Sequence, residues 1–334
     1  MFSACARPAQ VLLLLIALSA PGSAQPAPSL LIGGEEGAGA ELGRVVDIAV
    51  LPQLIVVLEK VPPYLHVFDN AGRHIQAIGR LGGGPGEFRA PMSLTYDSVQ
   101  RRLLVTDPAN SRLTSYRASD TLAFAEALPT TVAALSDVCV LDNRLYALAR
   151  TGAGLIRELE LQGGVLRERR AFGSPRTAHA LGEHPMLRSY VANGTLWCDS
   201  TSQTILLSSA MLGEVHMLNA RTGTHRTFAV IDFVPLHIES TDGRGLRFSA
   251  PSSGRYEQLL RITADAEGPI LNIVEVGPQD THLRYRTVRL TVSGQQAVQS
   301  THQWQQVGIR PNAVVCSRQD PYPTVALFRG SQCP

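Results

Sequence analysis

Residues 32–50 read IGGEEGAGAELGRVVDIAV, and residues 78–96 read IGRLGGGPGEFRAPMSLTY. The two stretches align without gaps at an offset of 46. Ile32 matches Ile78, Gly33 matches Gly79, Gly37 matches Gly83 and Glu41 matches Glu87. Leu42 stands opposite Phe88, Val46 opposite Met92 and Ile48 opposite Leu94. Each copy runs strand, Gly-rich loop, acidic–apolar pair, strand. A repeat of this length is one four-stranded blade of a β-propeller.

Working outward, short apolar runs bounded by turn residues recur along the chain. The first unit has runs at 45–51, 54–58, 64–68 and 74–78. Asn70-Ala71-Gly72 between the last two is a hairpin signal, because Gly accepts positive φ. The second unit has runs at 92–96, 102–106, 113–117 and 122–127, and the third at 138–141, 144–149, 156–161 and 165–172. The fourth is looser, at 195–198, 205–207, 215–218 and 226–231, and the fifth spans 259–263, 270–274, 287–292 and 297–302. The sixth offers only 313–316 and 324–328.

This predicts an all-β, six-bladed propeller of mostly four-stranded blades, formed by residues 25–334 as one domain. Residues 29–32 are a spare strand that the repeat equates with the fourth strand of a blade. They are expected to close the ring by pairing with the last blade, which hides two sheet edges. The remaining gap in that blade is assigned either to residues 330–334 or to a three-stranded blade. Residues 235–253 fit no blade and read as an inserted loop.

The N-terminus has the pattern of a secretory signal over residues 1–24: Arg7, an apolar run from Val11 to Ala20, and the small residues Gly22-Ser23-Ala24. Export to the periplasm or beyond is expected, without a lipid anchor, since no cysteine stands at the cleavage point. Cys139, Cys198, Cys316 and Cys333 then remain. Three pairings are open and spacing cannot choose among them. Cys139, Cys198 and Cys316 fall in apolar runs, where a buried free thiol is also expected. A net charge of +2 gives no reason to expect a nucleic-acid partner, and no later run is long enough to span a bilayer. A monomer is expected.

One stretch resembles the NHL-repeat propellers and related six-bladed propellers of TolB-like architecture. It runs from Leu65-His66-Val67-Phe68-Asp69-Asn70-Ala71-Gly72 through Ile78-Gly79 and Gly84-Pro85-Gly86-Glu87-Phe88. It continues to Asp107-Pro108-Ala109-Asn110-Ser111-Arg112. The resemblance is clearest over residues 64–117. It implies that Asp107, Asn110 and Arg112 brace a blade and take no part in chemistry.

No nucleophile elbow, phosphate loop or helical His pair stands in the chain. The leading expectation is therefore a binding module for a small molecule or protein, with function in its loops. Arg44, Arg89, Arg188, Arg255 and Arg310 are each read as preceding an innermost strand. Ringed around the channel mouth they would attract an anion. The alternative is a lactonase-like hydrolase or lyase on the axis, holding calcium or zinc, with Asp47, Asn193, Asp199 and Asn312 as candidates. The loop 179–188, with two His and one Arg, is a further ligand-facing candidate.

Overall fold

The computed structural model describes residues 26–34, 41–151, 154–173, 184, 186–241, 245–277, 283–291, 293–310, 312–319 and 322–334. The signal at 1–24 lies outside the described residues, as does most of the 179–188 loop.

Six four-stranded antiparallel sheets follow one another along the chain. Their first strands are Val45–Val50, Ser93–Asp97, Leu135–Leu141, Gly194–Asp199, Tyr256–Asp265 and Gln305–Arg310. Each touches the first strand of the next sheet, and the sixth touches the first. That closed cycle places these six strands around a central axis and makes each sheet a blade. Second strands lie between neighbouring blades and are buried on both faces. Leu54–Glu59, with sequence LIVVLE, is buried at every position, which is why it reads as an unbroken apolar run. Fourth strands lie at the rim, and His74–Ile78 is largely solvent-facing.

The core consists of apolar layers between blades. Leu65 and Val67 of the first blade pack with Leu103, Val105 and Tyr116 of the second. Leu104 and Leu113 of the second pack with Val138, Ala147 and Leu159 of the third. The repeat has a steric origin. Gly33 (φ 71°) and Gly79 (φ 93°) each end a fourth strand in the left-handed region. A Cβ on Gly33 would stand 2.9 Å from Leu42 Cδ1, and one on Gly79 would stand 2.7 Å from Phe88 Cδ2. The matched glycines thus make room for the matched apolar residues nine positions on.

Ring closure follows the predicted pairing. Leu30–Gly33 is antiparallel to Thr324–Arg329, with Leu30 opposite Leu327 and Ile32 opposite Val325. The last blade nevertheless has four strands, in the order Gln305–Arg310, Ala313–Arg318, Thr324–Arg329, Leu30–Gly33. Its innermost strand is Gln305–Arg310, and residues 330–334 form none. Gln305, Gln306 and Gly308 break up its apolar pattern and conceal it in the sequence.

The segment at 235–253 is an added hairpin, His237–Thr241 paired with Gly245–Ser249. Ile238 is buried, and Phe248 packs on Tyr190 with ring centroids 4.5 Å apart. The cysteines are bonded: Cys139–Cys198 joins the third and fourth blades, and Cys316–Cys333 ties the C-terminal tail to the sixth. The expected free thiols at Cys139, Cys198 and Cys316 are thereby replaced.

Candidate functional site

Four of the six inner strands carry a β-bulge at the same level, in the first, third, fifth and sixth blades. The extra residues are Val46, Ser136, Leu260 and Val307. A bulge turns successive side chains toward the same side. All four extra residues line an axial cavity of about 900 Å³, and so do Asp47, Asp137 and Arg261, which immediately follow three of them. All six inner strands contribute to its wall. The wall is about half apolar, with Leu42, Ile48, Leu94 and Ile262 among its members.

The polar level of the cavity is built by two matching carboxylates. Asp47 accepts from Ile48 N at 2.8 Å and from Leu94 N, on the next blade, at 2.6 Å. Asp137 accepts from Val138 N at 2.8 Å and from Leu196 N, again on the next blade, at 2.8 Å. Each carboxylate therefore stitches two inner strands together. Arg261 Nη1 donates to Asp47 Oδ1 at 2.5 Å. Leu94, Arg261, Ile262 and Val307 also line a second cavity of about 190 Å³ farther along the strands. The Asp47–Arg261 pair stands where the two meet.

Asp137 is buried, and desolvation pushes its carboxyl up to about 7. The Asp47 charge adds to that, while bonds from Leu196, Ser93 and Val138 oppose it. A carboxyl that changes charge near neutral pH beside a cavity is a recognised mark of functional sites.

The five arginines do not form one ring. Arg44 lines the cavity. Arg89 precedes the second inner strand, and its backbone N donates to Asp107 Oδ2 at 3.1 Å. Arg188 lies in the short helix Leu187–Val191, and its side chain is outside the described residues. Arg255 pairs with Glu275. Arg310 ends the sixth inner strand, at the opposite end from the cavity, and donates to Leu51 O and Leu54 O at 3.2 and 3.1 Å. Its expected place rested on taking 313–316 as the innermost strand.

Of the axial metal candidates, Asp47 and Asn193 line the cavity. Asp199 instead caps a turn through Thr201 N and Ser202 N, and Asn312 sits in a turn at φ 60°. Both lie at the far ends of inner strands. Asp47 is already engaged by two backbone donors and Arg261. The proposed ligand set is therefore not assembled, and among the described residues no group fits an axial calcium or zinc centre.

Asp107, Asn110 and Arg112 bind the Gly-rich loop of the second repeat copy. Asp107 accepts from Arg89 N and Ala90 N, Asn110 Nδ2 donates to Gly82 O, and Arg112 donates to Gly83 O and Glu87 O. Sequence reasoning missed Asp137 and Arg261 as cavity residues. The available signal was Ser136-Asp137-Val138, which repeats the pattern of Val46-Asp47-Ile48.

Residues 39–154 match a family model, DUF5128, described as a 6-bladed beta-propeller. None of the curated proteins compared matches the chain. Several solved structures share the fold. One is a Bacteroides fragilis protein described as exported, with 12% identity, a TM-score of 0.57, and coverage of 92% of this chain and 97% of that one. Another is a member of the DUF4221 family from Bacteroides vulgatus, with 8% identity, a TM-score of 0.54, and coverage of 91% and 97%. A Lactobacillus plantarum protein gives 11% identity, a TM-score of 0.52, and coverage of 89% and 83%. At these identities the likeness is one of fold. Among the described residues no helix is long and apolar enough to cross a membrane.

Proposed function

We propose that this propeller is an exported binding module that holds a small molecule in its axial cavity. The observation that carries the reading is the cavity itself. Its 900 Å³ falls within the range of about 300–1,000 Å³ typical of small-molecule sites. Apolar side chains form much of the wall, and a few convergent polar groups, Asp47, Asp137 and Arg261, sit at its polar level. That arrangement suits a compact ligand with an apolar body and one polar end able to meet a carboxylate or a guanidinium. Export is supported by the leader pattern at 1–24 and by two disulfides, which persist in oxidising compartments.

A ligand-observed NMR screen of the purified chain against a mixed small-molecule library tests this. Val46 lines the cavity and is 38% exposed, so Val46→Trp fills the mouth with little disturbance of the core. Hits are expected to bind the wild type and to be lost in V46W. Hits that bind both proteins equally place the site elsewhere.

A further inference from the structure

Two rim hairpins, in the first and fourth blades, carry the same arrangement of side chains. In the first blade, His66 lies on the third strand, Leu65–Asp69, and His74 begins the fourth. His74 stands opposite Phe68, two residues on from His66. In the fourth blade, His216 lies on the third strand, Glu214–Asn219, and His225 begins the fourth strand, His225–Ala229. His225 stands opposite Leu218, two residues on from His216. This diagonal cross-strand relation brings long side chains within reach of one another.

The ring geometry repeats as well. His66 Nδ1 and His74 Nε2 are 3.3 Å apart, and His216 Nδ1 and His225 Nε2 are 3.2 Å apart. A glutamate stands near the other nitrogen of each inner histidine, Glu59 from the second strand in the first blade and Glu214 from the same strand as His216 in the fourth. His66 Nε2 is 3.9 Å from Glu59 Oε2, and His216 Nε2 is 3.7 Å from Glu214 Oε2. Thr227 Oγ1 also lies 3.3 Å from His216 Nδ1.

We infer that these two hairpins are two-histidine sites for an exchangeable divalent transition-metal ion, with zinc as the best fit. Zinc binds imidazole nitrogen at about 2.0–2.1 Å, so a tetrahedral ion separates two such nitrogens by about 3.3 Å. Both pairs are already set at that spacing. The glutamates place a carboxylate 3.9 and 3.7 Å from the outer nitrogens, a charge that favours a bound cation without a direct hydrogen bond to the ring. Among the described residues no three His, Cys, Asp or Glu side chains converge on one point. Each site therefore has two protein nitrogens, with the remaining positions left to water and, in the fourth blade, to Thr227. Such a site binds loosely and exchanges. His74 is exposed, so the first-blade site is the more accessible.

Calorimetric titration of the tag-free chain with zinc chloride at neutral pH is expected to show two equivalents bound in the micromolar range. His74→Gln and His225→Gln, at the more accessible member of each pair, should each remove one equivalent and together remove both. In the wild type, a long-range proton–nitrogen spectrum should show zinc shifting His66 Nδ1 and His74 Nε2 while His66 Nε2 keeps its proton. That readout needs no variant. The inference is overturned if the wild type takes up no zinc in this range. Undiminished uptake by the double variant or unshifted imidazole nitrogens would overturn it equally.

Discussion

Arg261 of the fifth blade donates to Asp47 of the first at 2.5 Å, reaching past the sixth blade to do so. Gly308 follows the bulge residue Val307 in the sixth blade, where a Cβ would run into Val50 Cγ2. The pair is mostly shielded, with side-chain exposures of 20% and 17%, so salt screens it less than a surface pair. Arg261→Met keeps much of the side-chain length and removes the charge. It is expected to cost about 1–3 kcal/mol, because a partly buried carboxylate loses a charged donor. A double-mutant cycle with Asp47→Asn, followed by urea unfolding, should return a coupling energy of about 0.5–3 kcal/mol. Additive effects would mean that the two groups do not interact in solution.

The closing strand carries one fully buried side chain that can be truncated cleanly. Ile32 is 0% exposed and packs with Ile48, Val57, Val315 and Val325. Ile32→Ala is expected to cost about 2–5 kcal/mol by transfer and cavity terms together. Ser29→Ala, at the exposed start of the strand, loses one hydroxyl bond to Leu327 O and should cost well under half of that. Equal effects in urea would show that the strand is not seated in the last blade.

The legibility of the fold follows from where each blade gets its stability. The first three blades have strands buried on both faces, such as 54–59, and these read as plain apolar runs. The Gly33–Leu42 and Gly79–Phe88 contacts leave a matched pattern, which is why one alignment identified the period. The sixth inner strand is concealed because Gln305 faces the cavity, buried Gln306 bonds Thr263 of the fifth blade, and Gly308 packs against Val50, so none of the three adds to an apolar run. The hairpin at 237–249 was read as loop because it buries little beyond Ile238 and half-buried Phe248. The site was least legible of all. Asp137 and Arg261 meet Asp47 only through bulges in three different blades, and a bulge leaves no mark in single-strand periodicity.

The glycine contact behind the repeat can be tested directly. Gly79→Ala places a Cβ at positive φ and against Phe88 at 2.7 Å. The backbone conformation alone costs about 1–2 kcal/mol for a non-glycine residue, and the clash adds to it. Gly79→Ala in a Phe88→Leu background should recover part of the loss, since the offending ring is gone. No recovery in a thermal-melt series would assign the whole cost to the backbone.

The two disulfides should differ in weight. Cys139–Cys198 spans 59 residues and joins two blades, whereas Cys316–Cys333 spans 17 within one. Loop-closure entropy assigns about 4 kcal/mol to the first and about 3 to the second. Paired serine variants, compared by urea unfolding, are expected to rank in that order. The reverse order would mean that Cys316–Cys333 contributes mainly by anchoring Trp304 and Phe328 under the tail.

Asp137 makes stability depend on pH in a direction opposite to an ordinary surface carboxylate. Its folded value is raised to about 7, chiefly by burial, above an unfolded value near 3.8. Below about pH 4 both states are protonated and the group's contribution is fully present. As pH rises toward 7 the unfolded chain releases this proton first, and the contribution is withdrawn on the order of 1 kcal/mol per pH unit. Above 7 both states are ionised and the curve is flat. Asp137→Asn carries no such slope, though its amide meets two backbone donors with only one acceptor. The stability difference, wild type minus variant, should therefore be largest near pH 4, shrink toward pH 7 and then level off. Urea midpoints of the two proteins across that range measure it, and titrating groups not coupled to Asp137 cancel in the difference. Parallel curves would mean that the Val138 and Leu196 amides hold Asp137 ionised throughout. If the curves converge as expected, the cavity itself changes charge near neutrality, and a ligand with a charged end should bind with a pH dependence that the variant lacks.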